Sequence, residues 1–405
     1  MNYIKNNWKR QTILFLISQS ITLFGSTLIQ MAVVWYVTLQ TTSGVWVAAF
    51  SVASYLPQFL VSFIGGVWAD RYSRKKVIMI ADAVIASVTL VMWLFVPYMQ
   101  DNALLLTGLL IMSVIRSIGA GIQIPAVNAV IPQLVPEDQL MRFNGINATM
   151  QSLVQFASPM AAGAILTFST LRSTLMIDIV TAVIGNCLLA CVLIPKQTAK
   201  QEMSSAIADI KIGIQYTVSE KVVGKLLMVY GFFVFLTVPA GYLGLLFVTR
   251  TFGDTYWYIT AMEIVGFIGM MMGGILMSTW GGFKSRVKTM AIGLVAFGTL
   301  AVSMGLSRHF ILYLVLMLLY GISLTMTQTA ITTMLQENTE SSMIGRVFGL
   351  FSSMYSGFLP MGMMIFGPLA DVIPLNWIMV GSGVALIFVA AIAHNDKHIR
   401  QKRVS

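Results

Sequence analysis

The stretch GGVWADRYSRKKV, residues 65–77, gathers five charged side chains into the seven positions from Asp70 to Lys76, and apolar runs lie on both sides of it. Over the full 405 residues only 10% are charged and 57% are hydrophobic, against roughly a quarter charged in an ordinary soluble domain. Charge this scarce, concentrated in one turn, marks a turn that stands in water between segments that do not. The flanking runs are near the twenty residues needed to cross about 30 Å of hydrocarbon.

Working outward from this turn, apolar spans fall at 12–38, 44–68, 77–97, 103–125, 143–168 and 172–194, then at 223–249, 256–280, 288–306, 310–333, 346–371 and 375–394. Pro57, Pro125, Pro159, Pro239 and Pro360 fall inside spans, which bundled membrane helices tolerate. A β-barrel would need short alternating segments, and LLTGLLIMSVI at 105–115 does not alternate. The expected fold is an all-α membrane protein with twelve transmembrane helices in two six-helix, pseudo-symmetric bundles.

Basic residues set the expected orientation. If the first span leaves the cytoplasm, 21 of the 25 Lys and Arg fall on the cytoplasmic side. Arg172, Arg250 and Arg308 fall opposite, and Arg116 lies within a span. By the positive-inside rule both termini are cytoplasmic, in what we expect to be a bacterial cytoplasmic membrane. The net charge of +10 is thus a topology signal, and no nucleic-acid partner is expected. The first apolar run is too long for a cleaved leader and lacks a small-residue cleavage site, so the first helix is expected to stay. Cys187 and Cys191 sit four apart on one helix as small apolar side chains. His309, His394 and His398 are peripheral, so neither a metal site nor an enzyme's clustered nucleophile and base is expected. No phosphate-binding Gly-Lys-Ser/Thr loop is present, and no cofactor is expected.

The chain repeats itself weakly. A polar stretch headed by KQTAKQEMSSA parts the spans six and six, so the expected organisation is a bundle over 1–194, a cytoplasmic linker over 195–222, and a second bundle with a short basic tail over 223–405. In each half a Gly-Gly pair closes the second span before a basic loop, GGVWADRYSRKKV from 65 and GGILMSTWGGFKSRVK from 273. In each, an acidic loop precedes the fifth, PEDQLMRFNG from 136 and ENTESSMIGRVFG from 337. Two halves on one plan suit a transporter with its site at the interface of the halves.

Gly66-x-x-x-Asp70-Arg71-x-x-Arg74-Lys75 resembles the loop 2–3 signature of the major facilitator superfamily, with Ser73 where that pattern usually has glycine. A degenerate copy runs from Gly274 to Lys284, with Ser278 in place of the aspartate. Arg116 in VIRSIGAG is similar to the fourth-helix arginine motif, and Ser158-Pro159-x-x-Ala162-Gly163 to a loosened fifth-helix antiporter motif. NNWKRQ at 6–11, RSIGAGIQIPAVNAVIPQLVPEDQL from 116, Asp178, Glu263 and GRVFGL from 345 resemble the macrolide-efflux (Mef) branch of its drug:proton antiporters. The resemblance implies proton-coupled multidrug efflux by alternating access, with siderophore or lipid export as the alternative and a non-transporting receptor as the rival from another class.

Asp70, at the cytoplasmic end of the second helix, can face the partial positive charge of another helix's N-terminus. By resemblance that helix is the eleventh, beginning near Arg346, and the contact is a conformational gate made of Gly66, Asp70, Arg71, Arg74, Asp82 and Arg346. Asp82, about a turn into the third helix, is expected to pair with the basic loop. Charged groups inside a span cost about 3 kcal/mol even on lenient scales, so Arg116, Asp178 and Glu263 need a reason, and proton coupling supplies one. A rise of about 1.5 Å per residue puts Glu263 and Asp178 about 10 Å, and Arg116 about 20 Å, below the outer edge, so depth implies no permanent pair. For the substrate cavity the candidates are Gln30, Gln123, Asn128, Gln151, Gln155, Tyr230, Phe233 and Tyr355. These amides bond a ligand without charge, and the rings stack on a flat one. With 28 Met in the chain offering adaptable apolar surface, the expected substrate is a large amphipathic small molecule. Protons and membrane lipids are the other expected partners, and a monomer is expected.

Overall fold

The computed structural model describes residues 2–99, 101–136, 139–194, 214–340 and 343–397. The side chains of Asp70 and Arg142, and linker residues 195–213, lie outside the described set. Six helices fill the first half: α1 (Asn2–Thr41), α2 (Gly44–Arg71), α3 (Arg74–Phe95), α4 (Asn102–Leu134), α5 (Leu140–Phe168) and α6 (Leu171–Cys191). The second half holds α7a (Lys221–Gly241), α7b (Gly244–Thr251), α8 (Tyr256–Trp280), α9 (Arg286–Leu306), α10 (Phe310–Asn338), α11 (Ile344–Val372) and α12 (Leu375–Asn395). Each expected span is occupied by helix over most of its length. Among the described residues eleven helices are long and apolar enough to cross a membrane. The helix outside that set is α5, whose sequence carries Asn147, Gln151 and Gln155. Ile80, Ile311 and Phe388, 63%, 78% and 67% exposed, give the outward apolar surface that lipid requires.

Among the departures from the expected bounds, two involve prolines, while α1 begins early at Asn2 and α10 runs on to Asn338. The seventh span is broken: Pro239 has no N–H to give the ladder, and both Tyr242 and Leu243 donate backbone N–H to the Val238 carbonyl, ending α7a before α7b begins. The fourth span runs on to Leu134 through Pro125 and Pro132. Helix α8 stops at Gly281 and Gly282, with φ of 70° and 81°, a left-handed end that favours glycine.

The chain divides into two compact units, Met1–Gln40 with Ala49–Gln201, and Thr41–Ala48 with Glu202–Ser405. In unit 1, α3 packs on α4 and α6; in unit 2, α9 packs on α10 and α12. The repeat holds at the level of single glycines. A Cβ on Gly65 would strike the Gly121 carbonyl of α4, whereas one on Gly66 would meet no atom within 4 Å. A Cβ on Gly273 would lie 2.9 Å from the Ile322 carbonyl of α10, whereas one on Gly274 would meet nothing within 4 Å. The first glycine of each pair lets two backbones close, as small residues do between membrane helices. Gly66, the residue singled out in the loop signature, does not perform this role; Gly65 does.

Candidate functional site

Residues of unit 1 line an open cavity of about 330 Å³, within the size range of small-molecule sites. One turn after another of α1 offers it Gln19, Ser26 and Gln30, while α5 adds Asn147, Gln151 and Gln155 at a spacing of four. From α4 come Arg116, Gln123 and Asn128, with Ile29, Val33, Met112 and Ile124 supplying apolar wall. Polar residues at helical spacing on otherwise apolar helices put hydrogen-bonding groups on one face, and that face is the cavity's. Five of the expected lining residues are here: Gln30, Gln123, Asn128, Gln151 and Gln155.

The three aromatic candidates belong to unit 2 and are held otherwise. Tyr230 and Phe233 are 3% and 1% exposed. Tyr230 stacks on Phe351 at 3.9 Å between ring centres, and Phe233 meets Phe297 edge-on at 5.0 Å. They are core, because a ring on an apolar helix packs as readily as it lines a pocket. Tyr355 is bound hydroxyl to hydroxyl with Tyr242.

Above the amides, Arg116 and Asp178 form an ion pair that the depth count does not anticipate. Arg116 Nη1 donates to Asp178 Oδ2, and Nη2 donates to Oδ1 at 3.2 Å. Thr89 on α3 completes the group, accepting from Arg116 and donating to Asp178 Oδ2 at 3.0 Å. The count assumes that α4 and α6 start at one level and ignores the length of an arginine side chain. Asp178 is 1% exposed, and a buried carboxylate of this kind requires its cation and its extra hydrogen bonds. Arg116 also lines the cavity, so a balanced charge pair borders the polar space.

Asp82 is likewise not where the loop reading puts it. It is 1% exposed, and Gln123 Nε2 donates to its Oδ1 at 2.6 Å. The basic loop has other tasks. Arg74 donates to the Ala129 carbonyl of α4 at 2.6 Å, and Lys75 donates to the carbonyls of Ala190 and Val192 at 2.7 and 2.8 Å. Lys75 thereby satisfies the C-terminal end of α6, where a cation is favoured. Arg71 is exposed at the end of α2, and Arg346 donates to the Met343 sulfur at 3.3 Å. Glu263, on α8, is half-buried and makes no hydrogen bond or ion pair among the described residues.

Sequence reasoning missed Ser117, one residue beyond Arg116. Its hydroxyl accepts from the Gln58 backbone N–H at 2.9 Å and donates to the Ser54 carbonyl at 2.8 Å. It is threaded between two backbone groups of α2 that an i to i−4 bond would join, one turn around Pro57, as side chains do where a helix ladder opens. Ser54, Gln58 and Ser117 all line the cavity. Nothing in a lone serine marks this; a serine stacked a turn from Ser113 and Ala120 on α4 was the available hint.

The profile of the Major Facilitator Superfamily matches residues 15–362. The chain belongs to the Major Facilitator Superfamily. This superfamily member is 30% identical over 400 residues to macrolide efflux protein A of Streptococcus pyogenes, covering 98% of each chain, and so falls with the Mef proteins. It is 25% identical over 328 residues to the enterobactin exporter EntS of Escherichia coli, covering 73% of this chain and 70% of that one. Its fold is similar to the crystal structure of the nucleoside transporter NupG, with a TM-score of 0.73 at 15% identity, covering 96% of this chain and 100% of that one.

Proposed function

We propose that this superfamily member exports amphipathic small molecules of the macrolide class from the cytoplasm, exchanging them for protons by alternating access of its two halves. What carries the reading is a polar cavity with a balanced charge pair at its edge, in a chain similar to a macrolide efflux protein over 98% of its length. Uncharged amides and aliphatic wall suit a large, weakly charged ligand. The distribution of basic residues supports cytoplasmic termini, and the cavity then opens alternately to the cytoplasm and outside.

Coupling needs carboxyl groups that meet water in one state and bury in the other. Glu263 on α8, which makes no hydrogen bond or ion pair among the described residues, is the candidate in unit 2, and Asp178 with Arg116 shapes the electrostatics in unit 1. In one-for-one exchange each unit of pH difference supplies about 1.4 kcal/mol, enough for an export gradient of roughly tenfold per pH unit.

The test is uptake of a labelled macrolide into inverted membrane vesicles, with and without an imposed pH gradient. Accumulation above equilibrium that collapses with the gradient supports the reading. Equilibration at the same level under both conditions refutes the antiport, and no macrolide movement at all refutes the substrate class.

A further inference from the structure

Among the described residues, unit 1 buries two carboxyl groups, Asp82 and Asp178, and of these two Asp178 is the one with a cation. Asp82, on α3, receives its hydrogen bond from the neutral Gln123 at Oδ1, and its Oδ2 has no partner. An ionised carboxylate so placed would be unpaired in apolar surroundings, which costs far more than holding a proton. The elements packed on α3 are α4, α6 and the turn at 96–98, which brings Tyr98 at the far end of the helix. From α4 comes Arg116, committed to Asp178 and Thr89. From α6 come Asp178 itself, Arg172, which lies over the Trp93 ring, Cys187 and Cys191. On α3, Arg74 and Lys75 hold backbone carbonyls, and Lys76 is exposed. None of them donates to Asp82 Oδ2.

Gln123 connects this carboxyl to the cavity, since it binds Asp82 and lines the wall. We propose that Asp82 is a proton-carrying site, loaded at Oδ2 while the cavity holds no cation and emptied when a cationic amine enters. The inference rests on the reading of proton-coupled export given above. With Asp82 protonated and Arg116 balanced by Asp178, the charges around the cavity sum to zero. A cationic ligand gains a counter-charge there only if the O–H bond at Oδ2 breaks. The proton then leaves to cavity water, the electron pair stays on the carboxylate, and the ammonium group neutralises it. One cation enters for each proton released.

The experiment uses the purified full chain in detergent and erythromycin, a macrolide bearing a tertiary amine, over two pH units around neutrality where the amine stays charged. Release of a proton on binding makes the affinity rise with pH in the wild type, by up to about tenfold per unit as long as Asp82 of the free protein holds its proton, and Asp82→Asn, which keeps the Gln123 bond, removes that dependence. Infrared spectra are expected to show the carbonyl stretch of a protonated carboxyl that disappears in Asp82→Asn and moves in Gln123→Leu. A wild-type pH slope retained in Asp82→Asn, or a protonated-carboxyl band unchanged in both variants, overturns the proposal. Because neither measurement needs a membrane gradient, failure of driven export in vesicles would refute the antiport reading while leaving these results to decide Asp82.

Discussion

Arg250 at the end of α7b and Asp371 at the end of α11 form an ion pair at 2.6 Å that closes on the first turn of α2. Asp371 accepts from Ser43 Oγ at 2.7 Å, Gly44 N at 2.7 Å and Val45 N at 2.9 Å, while Arg250 donates to the Thr42 and Ala370 carbonyls. A carboxylate on the free N–H groups of a helix start is an N-cap supplied from another helix. Residues 41–48 belong to unit 2, with Gly44 and Ala48 also packed on Gly367, whereas the rest of α2 belongs to unit 1.

Asp371→Ala is therefore expected to lose about 1–2 kcal/mol of stability, the scale of an N-cap, read by denaturation of the purified protein in SDS. Asp371→Asn should recover part of the loss, since its carbonyl still accepts from one of the N–H groups. Equal stability of Asp371→Ala and wild type would show that the cap carries no energy.

The paired glycines give a sharper contrast. Gly65→Ala forces a methyl group onto the Gly121 carbonyl, and overpacking of this kind costs about 1–3 kcal/mol. Gly66→Ala meets open space and trades glycine for the better helix former, a gain of up to about 1 kcal/mol. Gly273→Ala and Gly274→Ala should repeat the pattern in unit 2. SDS unfolding of the four variants checks it, and a Gly66→Ala protein less stable than Gly65→Ala would contradict the packing.

The helices were legible because hydrocarbon demands long apolar runs, and the repeat was legible because both Gly-Gly pairs precede basic loops. The amides of α1, α4 and α5 showed as polar residues at helical spacing. What failed was everything that depends on a neighbouring helix. Tyr230 reads the same whether it lines a pocket or stacks on Phe351, and Asp82 reads as interfacial until α4 brings Gln123 to it. The pairing of Arg116 with Asp178 depends on how α4 stands beside α6, which counting residues from each helix start does not supply.

Glu263 is a prediction of transport rather than of stability. As a half-buried carboxyl with no hydrogen bond or ion pair among the described residues, it loses no such bond when replaced by Gln, so Glu263→Gln should reach the membrane at the wild-type level. If it couples protons, export driven by a pH gradient falls to the level without a gradient. Driven export by this variant equal to wild type removes Glu263 from the coupling scheme.

Arg116 and Asp178 test whether their pair is structural or adjustable. Arg116→Ala leaves Asp178 buried without its cation, a loss of about 3–5 kcal/mol for pairs of this kind. Asp178→Asn strands the guanidinium, but Arg116 borders the cavity and can turn toward water there, so its loss should be the smaller of the two. Replacing both, as Arg116→Met with Asp178→Leu, removes two buried charges together, and such replacements are often neutral or stabilising. Unfolding in SDS should therefore place the double variant nearer to wild type than Arg116→Ala, and the cycle closed with the single variants Arg116→Met and Asp178→Leu should give a coupling energy of about 0.5–3 kcal/mol. Additive losses would mean that the two side chains, though bonded, do not stabilise one another. A stable double variant that no longer transports would then assign the pair to function, because its charge would be dispensable for the fold and needed at the cavity.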